Sequence, residues 1–327
     1  EERRKAARKN IGQVNKTHLL KMKGRSVFMA NSITKFKKYI GLLDEVYKVA
    51  SVTSILDGNN RLVRMGANTN EIIIPKMSMD GLADYSRENG YVGGDVTLTN
   101  ETVKFNYERG RSFNIDAMDD EETAGVAFGQ LSGEFIRTKA APEIDAFRFA
   151  QYAGTTGITS ATAAALSNGA DVLSALIAAQ NSMDENEVPA ESRILFITPT
   201  LYNSVMNLDT TKSRAVLDSF ASIVKVPQSR FYTAIDLYDG TTDTSSQTNG
   251  VDETVGHFVK ASGGKNINFM VIEKSAAIQY QKHVVSKIVS PEENQTSDSW
   301  KFFYRSYGIA DVYENKVKGI YLHAATA

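Results

Sequence analysis

The sequence predicts an α+β fold of interleaved subdomains. Three observations predict it: strands and helices alternate discontinuously along the chain, a β-then-α stretch in the middle marks a compact α/β-like subdomain, and the C-terminal region turns β-rich and aromatic. No internal repeat accompanies them.

Taken in order, Ile40 to Leu56 places Leu43, Val46, Tyr47, Val49 and Ala50 at helical spacing, and Asp57-Gly58-Asn59-Asn60 supplies the stop. Residues 61 to 79 turn extended through Ile72-Ile73-Ile74-Pro75, and a Gly- and Asn-rich stretch follows, with Gly81, Asn89, Gly90, Gly93 and Gly94. Strict alternation then predicts two strands, one around Val96 and Leu98 and one around Val103, Phe105 and Tyr107, turning at Asn100-Glu101 as an antiparallel hairpin. The acids Asp116, Asp119, Asp120, Glu121 and Glu122 come next. Hard cations take such oxygen ligands, but the acids lack the Gly-centred spacing of a calcium loop. Asp119 and Glu122 instead read as a capping box, and acids in a first turn complement the helix dipole.

The helix capped there is the longest in the chain, carrying Phe128, Leu131, Phe135, Ile136, Ile144 and Phe147 to about Tyr152. Pro142 must bend or divide it, because proline removes a hydrogen bond and crowds the preceding turn. A Gly/Ala/Ser/Thr-rich loop over 154–169 leads to a helix from Asp171 to Met183, a buried strand Arg193–Ile197, and a helix that Thr198-Pro199 starts and Asn207 ends. After the loop Asp239 to Gly250, strands are expected at Asn266–Ile272, Ala276–Tyr280, His283–Ile288, Trp300–Tyr307, Ala310–Tyr313 and Val317–His323.

Composition narrows function. The 327 residues are 42% hydrophobic and 23% charged, the profile of a soluble globular chain. With no cysteine there is no disulfide, thiolate metal site or cysteine nucleophile, so packing alone must hold the fold. No run of about 18 apolar residues is present to span a membrane. The first residue is Glu1, and Met29-Ala30-Asn31-Ser32-Ile33 would read as a translation start, so the N-terminus is either processed or written from an arbitrary point.

The net charge of −1 conceals a division. Residues 1–38 hold 12 Lys and Arg, among them Arg3, Arg4, Lys5, Arg8 and Lys9, against two acids, which leaves 25 basic and 36 acidic residues in the body. A basic arm on an acidic body suits docking onto an acidic neighbour or a polyanion, and it is equally the composition of a solvated tail.

No catalytic constellation is legible. His18, His257, His283 and His323 are scattered, and no GxSxG, phosphate loop or dinucleotide fingerprint is present. Gly93-Gly94 and Gly263-Gly264-Lys265 read as loop glycines without a helix start behind them. Phe302, Phe303, Tyr304 and Tyr307 beside Arg305 could stack bases, but at period two in a β-rich segment they favour packing and interface contact. No cofactor or metal is expected, and the chain is read as not an enzyme.

The charged arm, the short helix, the glycine-punctuated hairpin ending Arg109-Gly110-Arg111-Ser112-Phe113-Asn114-Ile115-Asp116, the long helix, Arg193-Ile194-Leu195-Phe196-Ile197-Thr198-Pro199, and the closing Tyr307-Gly308-Ile309-Ala310-Asp311-Val312-Tyr313 through Gly319-Ile320-Tyr321 occur in an order that resembles the tailed-bacteriophage major capsid protein family. That family has the Hong-Kong-97-like shell fold. The resemblance implies an arm and short helix at 1–60, an extended-loop hairpin at 61–118, a peripheral domain at 119–159 and 276–316, and an axial domain at 160–275 and 317–327. Many copies would close as pentamers and hexamers into an icosahedral head enclosing double-stranded DNA held by charge only, with scaffold, portal and decoration proteins as further partners and no membrane. Such a subunit would assemble in the host bacterial cytoplasm and reside in the virion. An encapsulin-like nanocompartment shell is the alternative. Some family members crosslink a lysine to an asparagine, but Lys76 and Lys104 lack a motif for it. A long hairpin cannot bury its apolar face on a small local core, so Val103, Phe105, Tyr107, Arg109 and Arg111 are expected to contact a neighbouring subunit.

Overall fold

A computed structural model describes residues 51–57, 64–65, 71–122, 131, 133–247 and 250–326. The basic arm, and the helix expected from Ile40 up to residue 50, lie outside the described residues. Of that helix, Val52–Leu56 is described and forms a 3-10 turn.

Strand β1 (Arg64–Met65) pairs antiparallel with β2 (Glu71–Met79), which pairs in turn with β3 (Val96–Lys104). The hairpin is therefore β2 against β3, and the strands expected to turn at Asn100-Glu101 are a single strand running through both residues. The apolar positions change parity across Asn100-Glu101, from Val96 and Leu98 to Val103, because the two ends of this one strand are apolar on opposite faces, and a partner of matching length upstream prevails over weak turn residues. Strand β4 (Tyr107–Asp116) belongs to a different sheet, so the described hairpin closes at Lys104.

Helix α1 (Ala117–Glu122) begins two residues before the expected cap. Asp116 Oδ1 accepts the hydrogen bond from the Met118 amide at 3.0 Å, while Asp119 and Asp120 lie in the first turn, where the helix dipole favours them. Further along, a π-helical turn at Ile136–Ala140 precedes α2 (Ala141–Gly154), which has Pro142 in its first turn. Proline has no N–H to give the preceding turn, and the wider turn absorbs the mismatch. Thr138 Oγ1 donates to the Glu134 carbonyl at 2.8 Å within it.

Next come β5 (Thr159–Ser160), α3 (Gly169–Glu185), β6 (Arg193–Ile197), α4 (Pro199–Met206), α5 (Thr211–Asp218) and β7 (Ser222–Lys225). Asn168 Oδ1 caps α3 through the Asp171 amide at 2.9 Å, and Thr210 and Ser213 form a reciprocal capping box on α5. Thr198 occupies the N-cap position of α4 without a side-chain cap bond. Strands β8 (Ile235–Tyr238) and β9 (His257–Lys260) form a separate two-stranded finger. The chain closes with β10 (Ile267–Glu273), β11 (Ala277–Val289), β12 (Ser299–Val312) and β13 (Ile320–Ala324). Each of the long strands β11 and β12 joins two segments that the sequence separates, with a register shift between Gln281 and His283 in β11.

A five-stranded sheet, β5-β13-β10-β6-β7, stands between two cores. Its Ile194, Phe196, Met270, Ile272, Ile320 and Leu322 face Ile144, Phe147, Phe149 and Tyr152 of α2. Leu195, Ile197, Phe269, Val271 and Tyr321 face Val172, Leu176, Ala179 and Met183 of α3 together with Val205, Val216 and Leu217. Burial of both faces explains why β6 reads as an unbroken apolar run. The second sheet, β11-β12-β4, carries Phe113, Phe302 and Tyr304 beneath Leu131 and Phe135. Phe113 meets Phe135 edge to face at 4.9 Å between ring centres.

Candidate assembly interface

The β2–β3 hairpin uses its two faces differently. At its base the paired residues Ile72 and Val103 are buried against Ile278 and Ile309 of the β11-β12-β4 sheet. Just beyond β3, Phe105 stacks on Tyr307 at 4.7 Å between ring centres, with the Lys282 ammonium 5.3 Å from the Phe105 ring centre. Lys76 Nζ meets Glu314 Oε2 at 2.7 Å.

Toward the tip, the opposite face of the ribbon becomes apolar. Met77 pairs with Leu98 and Met79 with Val96, all four on the face away from Ile72 and Val103, and they are 56 to 67% exposed. The tip beyond them presents Leu82, Tyr85, Tyr91 and Val92, all exposed. It is internally ordered: the Asp80 carboxylate accepts from the Asp95 amide at 2.8 Å, Ser86 bridges Gly90, and Tyr85 packs edge-on to Tyr91 at 4.8 Å. Nine residues of strand carry this apolar end about 30 Å from the start of β2.

The five residues expected at a subunit contact are engaged within the chain. Val103 and Tyr107 are buried, Tyr107 against Phe147 at 4.9 Å between ring centres. The Tyr107 hydroxyl donates to Glu143 Oε1 at 3.3 Å, and burial, reinforced by that carboxylate, pushes the phenol far above its ordinary pKa. Arg109 Nε donates to the same Glu143 oxygen at 2.7 Å and its Nη2 to the Tyr238 carbonyl at 2.7 Å. Arg111 Nη2 donates to the Thr254 carbonyl at 3.3 Å, and its Nη1 sits 2.7 Å from where a Cβ on Gly240 would lie. Gly240, at φ +80°, meets two needs of the finger, a left-handed backbone and room for that guanidinium. The two arginines thus tie the finger to β4, and Phe105→Asp would break a contact inside the subunit as well as any contact outside it.

A second site joins distant segments. Asp145, fully buried on α2, accepts from Ser51 Oγ at 2.6 Å, the Val52 amide at 3.0 Å, the Thr53 amide at 3.2 Å and Thr53 Oγ1 at 2.7 Å, and pairs with Arg230 Nη1 at 2.9 Å. Arg148 Nη1 donates to Thr53 Oγ1 at 2.7 Å, and Gln279 Nε2 donates to the Thr53 carbonyl at 2.8 Å and to Asp57 Oδ1 at 2.6 Å. The carboxylate caps the 3-10 turn from another element and fixes residues 51–57 on the core.

Among the described residues, no three His, Asp or Glu side chains converge on a common point. Asp239 is exposed, and hydrogen bonds from Thr242 and Thr241 hold its carboxyl well below the usual range, which is the chemistry of a turn. Two features escape sequence reasoning: the exposed tip and the Asp145 cluster. Their signals are the change of strand parity between Ile72 and Met77 and a lone acid between Ile144 and Phe147.

No protein-family model matches the chain, and no curated protein is similar to it in sequence. Solved structures do match. A structure of Mycobacterium phage Che8 aligns at TM-score 0.57 and 15% identity over 91% of this chain and 97% of that one. The capsid of cyanophage P-SCSP1u aligns at 0.58 and 16% identity over 90% and 93%, and Gordonia phage Cozz at 0.56 and 12% over 92% of each chain. At such identities the likeness is one of fold, and it spans nearly the full length of both partners: the chain has the phage major capsid protein fold.

Proposed function

We propose that the chain is the major capsid subunit of a tailed bacteriophage, self-assembling into the icosahedral head that encloses double-stranded DNA. The observation that carries this is the end-to-end fold match to phage capsid structures. The hairpin supports it, since an apolar tip turned away from its own body needs cover that a neighbouring copy would supply. The five-stranded sheet draws all its strands from residues 159–275 and 320–324, in keeping with an axial domain, and α2 with β11 and β12 accords with a peripheral one. No described helix is long and apolar enough to cross a membrane. Residence in the virion, assembly in the host cytoplasm and scaffold, portal and decoration partners follow from the same reading. The role is structural, without catalysis.

Sedimentation of the full chain is expected to show megadalton particles or capsomers, and a monodisperse monomer at every salt and protein concentration would refute the assignment. Nuclease-protected DNA inside the particles marks a phage head, whereas an enclosed protein marks a nanocompartment. In the same assay, neutralising Arg3, Arg4, Lys5, Arg8 and Lys9 together is expected to lower particle yield or DNA content while leaving thermal unfolding unchanged. The difference should shrink as salt rises, because charges are screened beyond about 8 Å at physiological ionic strength. Identical yield, content and melting would make the arm passive.

A further inference from the structure

Strand β10 carries a bulge where it meets β13. Ile267 pairs with Ala324 and Phe269 with His323, which leaves Asn268 as the extra residue. The bulge breaks the alternation of the sheet: Ile267 and Met270 both face α2, and Phe269 faces α3. Asn268 is thereby re-aimed toward the chain that links α2 to α3. Its Nδ2 lies 3.0 Å from the Ala164 carbonyl, to which it donates, and 3.1 Å from His323 Nδ1. The amides of Ala161 and Ala164 donate to the Leu322 and Ala324 carbonyls at 2.9 and 3.2 Å. Residues 161–168 so form a strap, with no helix or strand of its own, laid along β13 where the two-residue β5 ends.

The two contacts of Asn268 fix the protonation of His323. Turned over, the amide would set its oxygen against the Ala164 carbonyl oxygen, so its NH2 faces both partners. His323 Nδ1 therefore keeps its lone pair, and the ring is neutral with its proton on Nε2. The imidazole is 4% exposed and stacks on Phe269 at 5.1 Å between ring centres. Burial lowers its pKa, against a smaller upward pull from its own backbone. Little charge surrounds it. Residues 153–170 hold no titratable group, and β13 adds only Tyr321. Lys265 precedes β10, and Glu273 closes that strand at the far end, bound to Ser192 and Ser275. Arg193 of β6 pairs with Asp184 at the same far end, and Lys225 of β7 lies over Tyr202 of α4. Asp171 of α3 and Lys212, Arg214 and Asp218 of α5 are exposed.

We propose that His323 and Asn268 form an acid-sensitive clasp that holds the 161–168 strap on the five-stranded sheet. The neutral imidazole accepts from Asn268 and keeps its amide turned toward Ala164. A proton on Nδ1 sets N–H against N–H, and the pair must part. Either Asn268 turns and gives up the Ala164 carbonyl, or the ring leaves Phe269. The strap then hangs on its two amide bonds to β13, and it has no carboxylate of its own to receive the new charge. The sign follows from linkage. An unfolded histidine titrates at about pH 6.5 and this one lower, so the folded chain resists a proton that the unfolded chain takes. The clasp is closed above that pH, and its contribution drains away as pH falls below it. The device belongs to the single subunit and stands apart from the shell reading.

Hydrogen exchange of the full chain tests it, corrected for the intrinsic effect of pH on exchange. Between about pH 7.5 and about pH 5.5 the parent is expected to lose protection about fivefold or more across 159–168, while α2 and α3 keep theirs. His323→Asn places an acceptor oxygen near the position of Nδ1 and does not titrate, so its strap should stay protected at both pH values. Asn268→Leu removes the clasp, so its strap should exchange quickly at both. Equal protection of the parent strap at the two pH values overturns the proposal, and so does a loss spread evenly over the whole chain. A His323→Asn chain that still loses protection on acidification would place the titrating group elsewhere and overturn it too. Should that variant fail to fold, the parent and Asn268→Leu decide: an Asn268→Leu strap as pH-dependent as the parent's overturns the clasp.

Discussion

Asp145→Ala is expected to lower the unfolding free energy of the subunit by about 3 to 5 kcal/mol, the range for removing one partner of a buried ion pair. The carboxylate is fully buried, and its loss strands the Arg230 guanidinium 2.9 Å away together with the amides of Val52 and Thr53. A buried donor left without an acceptor costs its full desolvation, whereas the charged pair contributes little beyond solvation when intact. The thermal midpoint should fall by on the order of 10 °C, with residues 51–57 losing protection from hydrogen exchange first. Asp145→Asn keeps the shape and one acceptor oxygen, so it should cost less. A midpoint for the alanine variant within about 2 °C of the parent would show that the cluster contributes nothing net to stability.

The second large effect separates assembly from folding. Met79→Asp combined with Leu98→Asp places two carboxylates on the exposed ribbon face, where both side chains are already in water. Subunit melting should therefore stay within about 2 °C of the parent, as is usual for surface changes. In a shell the same positions would be covered, and burying an unpaired carboxylate costs far more than one contact supplies. Particle yield should fall below detection. Hydrogen exchange supplies the complementary measurement: residues 77–98 should exchange quickly in free subunits and slowly in shells. Equal exchange in both states, or normal yield from the double variant, would rule the hairpin out as an interface.

Much of this molecule is legible without coordinates. The apolar run Arg193–Ile197, the helix started by Thr198-Pro199 and the disturbance at Pro142 are local events, governed by burial, capping and a missing N–H. The hairpin is harder, because pairing is non-local. Val103 has one partner strand nearby in sequence and another far upstream, and register with Ile72 decides between them only in three dimensions. The residues expected at a subunit contact are hard to read for a related reason. Alternation at Val103, Phe105 and Tyr107 announces a buried face but not what buries it, and Ile309, Tyr307 and Phe147 of the same chain do so. The Asp145 cluster draws on residues 51–57, 145, 148, 230 and 279, a convergence with no spacing rule to reveal it.

Strand β13 sets a schedule for biosynthesis. Residues 320–324 lie between β5 and β10, and all five side chains are buried. Until the ribosome has extruded them, Met270 and Ile272 have β6 on one side but lack the strand on the other, and Thr159 lacks its parallel neighbour. The sheet that separates the two cores therefore closes only after residue 324 emerges, however early α2 and α3 form. Pairing across such sequence distances is slow, since loop-closure entropy must be met before the contacts reward it. A nascent chain thus carries its β2–β3 hairpin, made early from residues 71–104, on a body that is not yet built. The order of synthesis delivers the hairpin first and the rigid frame that supports it last.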